Sequence, residues 1–280
     1  MEKKLILRGL LAGAVGGLLS FVFARIFAEP QIQAAIDYEG ARDAAQEALS
    51  TAAHAHEGHE VFSRTLQGNA GIGVALILFG MAMGALFAIV YSLCLGRVGR
   101  IQPRNLSLLV AGAGFVGLYL VPFVKYPANP PAVGHEDSIR DRTDLYLLMV
   151  LASVVLLVLA VVLGQRLQAR FGNWTATILA GTAYLVAVGV VMALLPQFGH
   201  LAVNEASYGS HASETPLPLT DSDGNIVFPG FPADLLFDFR LNSVAAQLIM
   251  WAAIGVVFAP MADRLLSPRT AKIPADPITA

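Results

Sequence analysis

Residues 145–164 read LYLLMVLASVVLLVLAVVLG, twenty positions without an Asp, Glu, Lys, Arg or His. At about 1.5 Å of rise per residue, a helix of that length covers about 30 Å, the thickness of a bilayer's hydrocarbon core. Five further stretches share this character, over residues 5–24, 70–95, 106–124, 174–195 and 241–261, and Arg8 is the one charge within any of them. A charge at mid-span costs about 2.5 to 3.5 kcal/mol on the insertion scale, whereas each Leu, Ile, Val or Phe returns about 0.3 to 0.6, so the missing charges favour insertion. The composition agrees, with 56% hydrophobic residues, 14% charged residues and a mean hydropathy of +0.63, values that suit a polytopic membrane protein better than a soluble domain. The expected fold is all-α: a helical bundle of about six transmembrane helices forming one domain over residues 1–266, with structured external loops and a disordered cytoplasmic tail over 267–280.

Orientation follows from Lys and Arg, because short positive connections stay cytoplasmic. With both termini inside, eleven of the eighteen basic residues lie on short inner segments: Lys3, Lys4, Arg8, Arg97, Arg100, Arg104, Arg166, Arg170, Arg264, Arg269 and Lys272. Acidic residues sort the other way, since only Glu2, Asp263 and Asp276 of twenty fall inside, and all six histidines fall outside. The near-neutral net charge of −2 therefore hides an anionic, imidazole-bearing external face. The first span resembles a secretory signal at its Lys3-Lys4 start, but it reads as an uncleaved helix that keeps the topology even-numbered. Cys94, the single cysteine, can form no internal disulfide and reads as packing filler.

Three external segments carry most of the non-membrane sequence. Residues 29–68 open with Glu29-Pro30, where a proline can start a new helix, and continue as an acidic amphipathic helix expected to lie on the outer surface. Residues 125–144 are proline-rich and then charged, and residues 196–240 contain a turn signal at Asp223-Gly224. The inner loops are short and leave little room for a cytoplasmic active site. Small residues recur at four-residue spacing, Gly9/Gly13/Gly17 and Gly80/Gly84, a pattern that suits close helix contact in lipid but also follows from the general abundance of glycine in membrane helices.

Two motif matches fail on context. Gly112-x-Gly114-x-x-Gly117 has the spacing of a dinucleotide fingerprint, yet it lies within an apolar span instead of between a strand and a helix. Neither nucleotide nor nucleic-acid binding is expected. Asp221, Asp223 and Asn225 resemble the start of a calcium loop, but Ile226 stands where the turn glycine belongs and Pro232 where the closing glutamate belongs.

The stronger chemical signal is His54-Ala-His56-Glu-Gly-His59-Glu60. Neutral imidazoles bind first-row transition ions, carboxylates complete the shell, and Gly58 lets the backbone turn the rings toward one point. The competing reading is a solvated polar linker that binds metal weakly. His135 and Glu136 are further candidate outer ligands. Within and beside the spans, the candidate pathway residues are Met81, Met83, Pro122, Tyr126, Asn129 and Gln247, although methionine in an apolar helix commonly packs. Pro122 breaks the helical hydrogen-bond ladder and can free carbonyls near Phe115 to Leu118. No nucleophile–base pair or two-His zinc helix appears within a span, so an enzyme is not expected.

The stretch Val121-Pro122-Phe123-Val124-Lys125-Tyr126-Pro127-Ala128-Asn129-Pro130-Pro131-Ala132-Val133-Gly134 resembles the signature of the CbtA family, cobalt transporter subunits. Phe231-Pro232-Ala233-Asp234-Leu235-Leu236, Phe239-Arg240-Leu241-Asn242-Ser243, Arg8-Gly9-Leu10 and Phe27-Ala28-Glu29-Pro30 resemble it too. The resemblance implies a multi-pass protein of the bacterial inner membrane that helps import cobalt, commonly for cobalamin biosynthesis. It also implies a small partner, CbtB, with one membrane helix and a histidine-bearing tail. No catalytic residue carries over.

Together these features lead to a membrane subunit for uptake of a divalent transition metal, Co²⁺ first, with Ni²⁺ or Zn²⁺ as alternatives. External His and acidic loops would capture the ion. The other reading is a non-transporting accessory protein or metal sensor. With no Walker motif, the driving force must come from elsewhere, and the membrane potential gives a divalent cation about 4.6 kcal/mol per 100 mV.

Overall fold

In the computed structural model, described over residues 2–49, 71–99, 101–208 and 214–266, most of the described residues are helical. Apolar runs in lipid must satisfy their own backbone groups, which a helix does internally. The helices are α1 (Glu2–Phe23), α2 (Glu29–Leu49), α3 (Ile72–Cys94), α4 (Pro103–Gly114), α5 (Val121–Lys125), α6 (Ile139–Leu194), α7 (Ala202–Tyr208) and α8 (Ala233–Leu266). Wide π-helical segments join α1 to α2 (Ala24–Ala28) and α4 to α5 (Phe115–Leu120). Among the described residues, five helical runs are long and apolar enough to cross a membrane. The run containing α6 holds two of the six expected crossings, because Gly172 (φ 75°, ψ 170°) leaves helical geometry between them. The two arms of α6 then fold against each other: Ser153 Oγ and Tyr184 Oη lie 2.9 Å apart, both buried.

A four-helix core forms from α1, α3, α4 and α8. Glycine makes it tight. A Cβ at Gly9, Gly13 or Gly17 would overlap the backbone of α3 at Gly84, Gly80 or Leu76, and the reverse holds for Gly80 and Gly84. The glycine spacing is therefore a packing face within the chain. On its other side, α1 meets α8, where Ser20 Oγ donates to the Ala246 carbonyl at 3.0 Å. Ser107 of α4 likewise donates to Gly255 of α8 at 2.7 Å. Phe87, Tyr91, Trp251, Ile254 and Phe258 fill the centre, with Phe258 set edge-on to both Phe87 and Tyr91 at 5.0 Å.

The third span belongs to two bodies. Its first half, α4, packs on α8 and α3, whereas the π segment and α5 carry most of the packing against α6. At the end bearing the described chain limits, Arg8 donates to the Met261 carbonyl, Arg104 pairs with Asp263 at 2.7 Å, and Gln165 reaches the Arg97 carbonyl. Among the described residues, Arg8, Arg97 and Arg104, assigned inside by charge sorting, thus share one end, and the described parts of the segments assigned outside meet at the other, called the outer end below.

Both π segments end directly before an X-Pro pair, Glu29-Pro30 and Val121-Pro122. Proline has no N–H and its ring collides with the carbonyl four residues back, so the residue before it is normally driven out of the helix. Here Glu29 and Val121 keep helical angles and donate to Ala24 and Val116, five residues back. The widened turn lets the helix pass the proline. The expectation of a separate surface helix beginning at Glu29-Pro30 is corrected accordingly: α2 continues from α1 as one long helical run.

Candidate functional site at the outer junction

Proline chemistry shapes the start of this junction. Tyr126 precedes Pro127 and leaves the helical region (φ −130°, ψ 77°), which ends α5. The chain then runs through the proline-rich stretch to Gly134, whose φ of +100° suits glycine. Tyr126 is buried, stacks on Phe198 at 4.2 Å and donates its hydroxyl to the Pro196 carbonyl at 2.8 Å. Lys125 donates to the Leu195 carbonyl at 2.8 Å.

Polar side chains from separate segments then lock together. Arg240, half-buried on α8, donates to Asn129 Oδ1 at 2.7 Å and to the Ala128 carbonyl at 3.3 Å. Asn129 Nδ2 donates onward to Glu214 Oε2 at 2.8 Å, while Arg142 Nε faces Glu214 Oε1 at 3.4 Å. The Gly134 N–H reaches the Glu214 carbonyl at 2.8 Å. These charge-assisted bonds suit a partly desolvated site, where each group holds the others in place. Asn242, two positions after Arg240, donates to the Phe27 carbonyl in the first π segment at 3.1 Å.

An apolar joint lies beside this network, built from Ala35 and Tyr38 of α2 with Val133 and Phe231. The Tyr38 hydroxyl donates to the Pro229 carbonyl at 2.9 Å. Two short antiparallel strands, β1 (Leu219–Thr220) and β2 (Ile226–Phe228), flank the expected turn, where Gly224 takes φ +84°. Bonds from the Asn225 side chain and backbone hold the Asp221 carboxyl below the ordinary range.

Acidic groups gather where α2 meets the residues after Gly134. Partial desolvation, then the nearby Asp43 and Glu136, push the exposed Glu39 above the usual carboxylate range. His135 caps the short 3-10 turn Glu136–Ser138, its Nδ1 accepting from the Asp137 N–H at 3.2 Å. Among the described residues, no group of three or more His, Cys, Asp or Glu is arranged to hold a metal ion. His54, His56, His59 and Glu60 lie outside the described residues.

Of the candidate pathway residues, Pro122, Tyr126 and Asn129 come together near the outer end, with Pro122 fully buried. Met83 packs against the four-helix core, Met81 is half-buried on α3, and Gln247 is half-buried on α8. Sequence reasoning missed the Ser153–Tyr184 pair and the role of Glu214. The first had a signal, two polar side chains within apolar spans; Glu214 had none, because its partners come from other loops.

The signature stretch and the Phe239–Ser243 stretch meet through Asn129 and Arg240, as expected if both serve one junction. The family model described as "Probable cobalt transporter subunit (CbtA)" matches residues 2–263. The chain belongs to the CbtA family. No curated protein and no solved structure matches it. Membership of CbtA and the apolar helices make this a multi-pass membrane protein; the family's description, a probable cobalt transporter subunit, implies a non-enzymatic role and a partner component.

Proposed function

We propose that this CbtA protein takes up a divalent transition metal across a bacterial inner membrane, with Co²⁺ as cargo and capture by its external His and acidic segments. The observation that carries this reading is the packing of Ala35 and Tyr38 of α2 on Val133, which brings Glu39 and Asp43 close to Glu136. Crowded carboxylates favour a counter-cation, and His54, His56, His59 and Glu60 follow shortly after Leu49, where α2 ends. Imidazole and carboxylate together suit Co²⁺, Ni²⁺ and Zn²⁺, and the family favours the first. A CbtB-like single-span partner bearing histidines would supply or receive the ion, and cobalamin biosynthesis would consume it.

From the outer junction the ion would descend beside the third span. Pro122 cannot donate to Gly117 in the π register, and Gly117 sits against Ser153 and Leu157 of α6. A freed carbonyl beside the Ser153–Tyr184 hydroxyls offers neutral oxygens, weak ligands that suit passage more than retention.

Cobalt accumulation in cells lacking their own cobalt importers tests this, comparing empty vector, this chain, this chain with a CbtB-like partner, and variants at matched membrane levels. Accumulation above vector that falls in His54/His56/His59→Ala and in Glu39→Gln/Glu136→Gln supports capture at the outer segments. Unchanged accumulation in both variants overturns the capture assignment. No accumulation in either wild-type arm, with the protein inserted, favours the accessory or sensor role.

A further inference from the structure

Near the outer end, the third span and the first arm of α6 line an open pocket of about 430 Å³, whose walls include Tyr119, Phe123, Tyr126, Arg142, Tyr146 and Phe198. One wall is aromatic because Phe115, Tyr119 and Phe123 stack at successive four-residue steps along the π segment and α5, at 6.1 and 5.3 Å. Two polar features interrupt it. The Tyr119 hydroxyl is buried without a hydrogen-bond partner among the described residues, a state that buried hydroxyls avoid. Arg142 lies over the Phe198 ring, its Nε turned to Glu214, and a guanidinium carries further N–H donors beyond Nε.

The rim differs from the floor. Ile139 and Leu147 are 59% and 58% exposed, and Leu151 and Val158 continue an exposed apolar stripe down the same arm toward mid-span. Donors at the end nearer water, joined to an apolar track leading into the bilayer, match a molecule that is polar at one end and hydrocarbon at the other. A guanidinium in the wall favours phosphate, which it can bind with two parallel N–H bonds.

We propose that this pocket binds an anionic phospholipid. The phosphate and ester oxygens accept from Arg142 and the Tyr119 hydroxyl, and an acyl chain lies along Leu147, Leu151 and Val158. The lipid braces α6, whose packing on the rest of the fold runs mainly through the π segment and α5. This site is independent of which ion the protein carries.

Native mass spectrometry on the detergent-solubilised full chain tests it, titrating phosphatidylglycerol, diacylglycerol and inorganic phosphate and mapping a photoreactive phosphatidylglycerol. One tightly held phosphatidylglycerol is expected, with cross-links concentrated at residues 119–128 and 139–147 and little binding of the other two probes. Tyr119→Phe should weaken binding about five-fold, the effect of one lost hydrogen bond. Arg142→Gln should weaken it further. Because that change also disturbs Glu214, Leu147→Glu, placed on the exposed rim, serves as the second variant and should reduce retention without unfolding the protein. Cross-links spread evenly over α6 and α8, equal affinity for diacylglycerol, full competition by inorganic phosphate, or unchanged affinity in both Tyr119→Phe and Leu147→Glu would each overturn the proposal.

Discussion

Arg240 Nη2 donates to Asn129 Oδ1 at 2.7 Å, across 111 residues of sequence, and thereby ties the outer start of the last long helix to the proline-rich stretch after the third span. Asn129 passes the connection to Glu214, which also faces Arg142. One amide side chain therefore joins three segments.

Asn129→Ala is expected to destabilise the protein by about 2 kcal/mol, the scale of a hydrogen bond to a charged group. Arg240→Ala should cost at least as much, and the double variant should cost clearly less than the sum, because both changes break the same bond. Thermal unfolding of the four proteins in one detergent measures the cycle, and additive losses would show that the contact contributes nothing.

The glycine face predicts a sharp contrast. Gly13→Leu should abolish recovery of folded protein, since even a Cβ there overlaps the Gly80 carbonyl and helix backbones cannot yield locally. Gly40→Ala in α2 meets nothing within 4 Å and should stabilise that helix by about 0.5 to 1 kcal/mol. Size-exclusion profiles and unfolding temperatures distinguish the two outcomes.

Between the arms of α6, Ser153→Ala and Tyr184→Phe should each cost about 1 kcal/mol and show a coupling of about 0.6 kcal/mol or more, the usual size for buried polar pairs in membrane proteins. A coupling near zero in a double-mutant cycle would remove this pair as a link between the arms.

Glu39 is expected to contribute a pH dependence. Its folded-state proton affinity is raised, so the folded protein binds more protons than the unfolded chain in the window between the ordinary glutamate value and the raised one. Stability of the α2 contact should therefore increase as pH falls through that window and decrease as pH rises through it. Glu39→Gln should flatten the dependence, which hydrogen exchange of the described part of α2 at several pH values would register. An identical pH profile in the variant would exclude Glu39 as the group responsible.

Legibility differed by scale. The all-helical architecture was readable because inserting a charge is costly, and the absence of charge over twenty-residue runs such as 145–164 leaves the helix as the solution. The turn at Asp223-Gly224 was also readable, because local backbone chemistry decides it. The course of the chain at Glu29-Pro30 was not: proline suggested a new start, but a π turn before it relieves the collision and carries the helix onward.

Sequence by itself determined that this chain spans a membrane and which short stretches mark its family. These are properties of single segments in contact with lipid or water, and composition expresses them directly. Only the tertiary structure decided that glycines of α1 mesh with α3, that the third span divides between the core and α6, and that Asn129 meets Arg240 and Glu214. Each depends on surfaces brought together from distant positions, where fit and hydrogen-bond geometry select the partner and no local pattern names it.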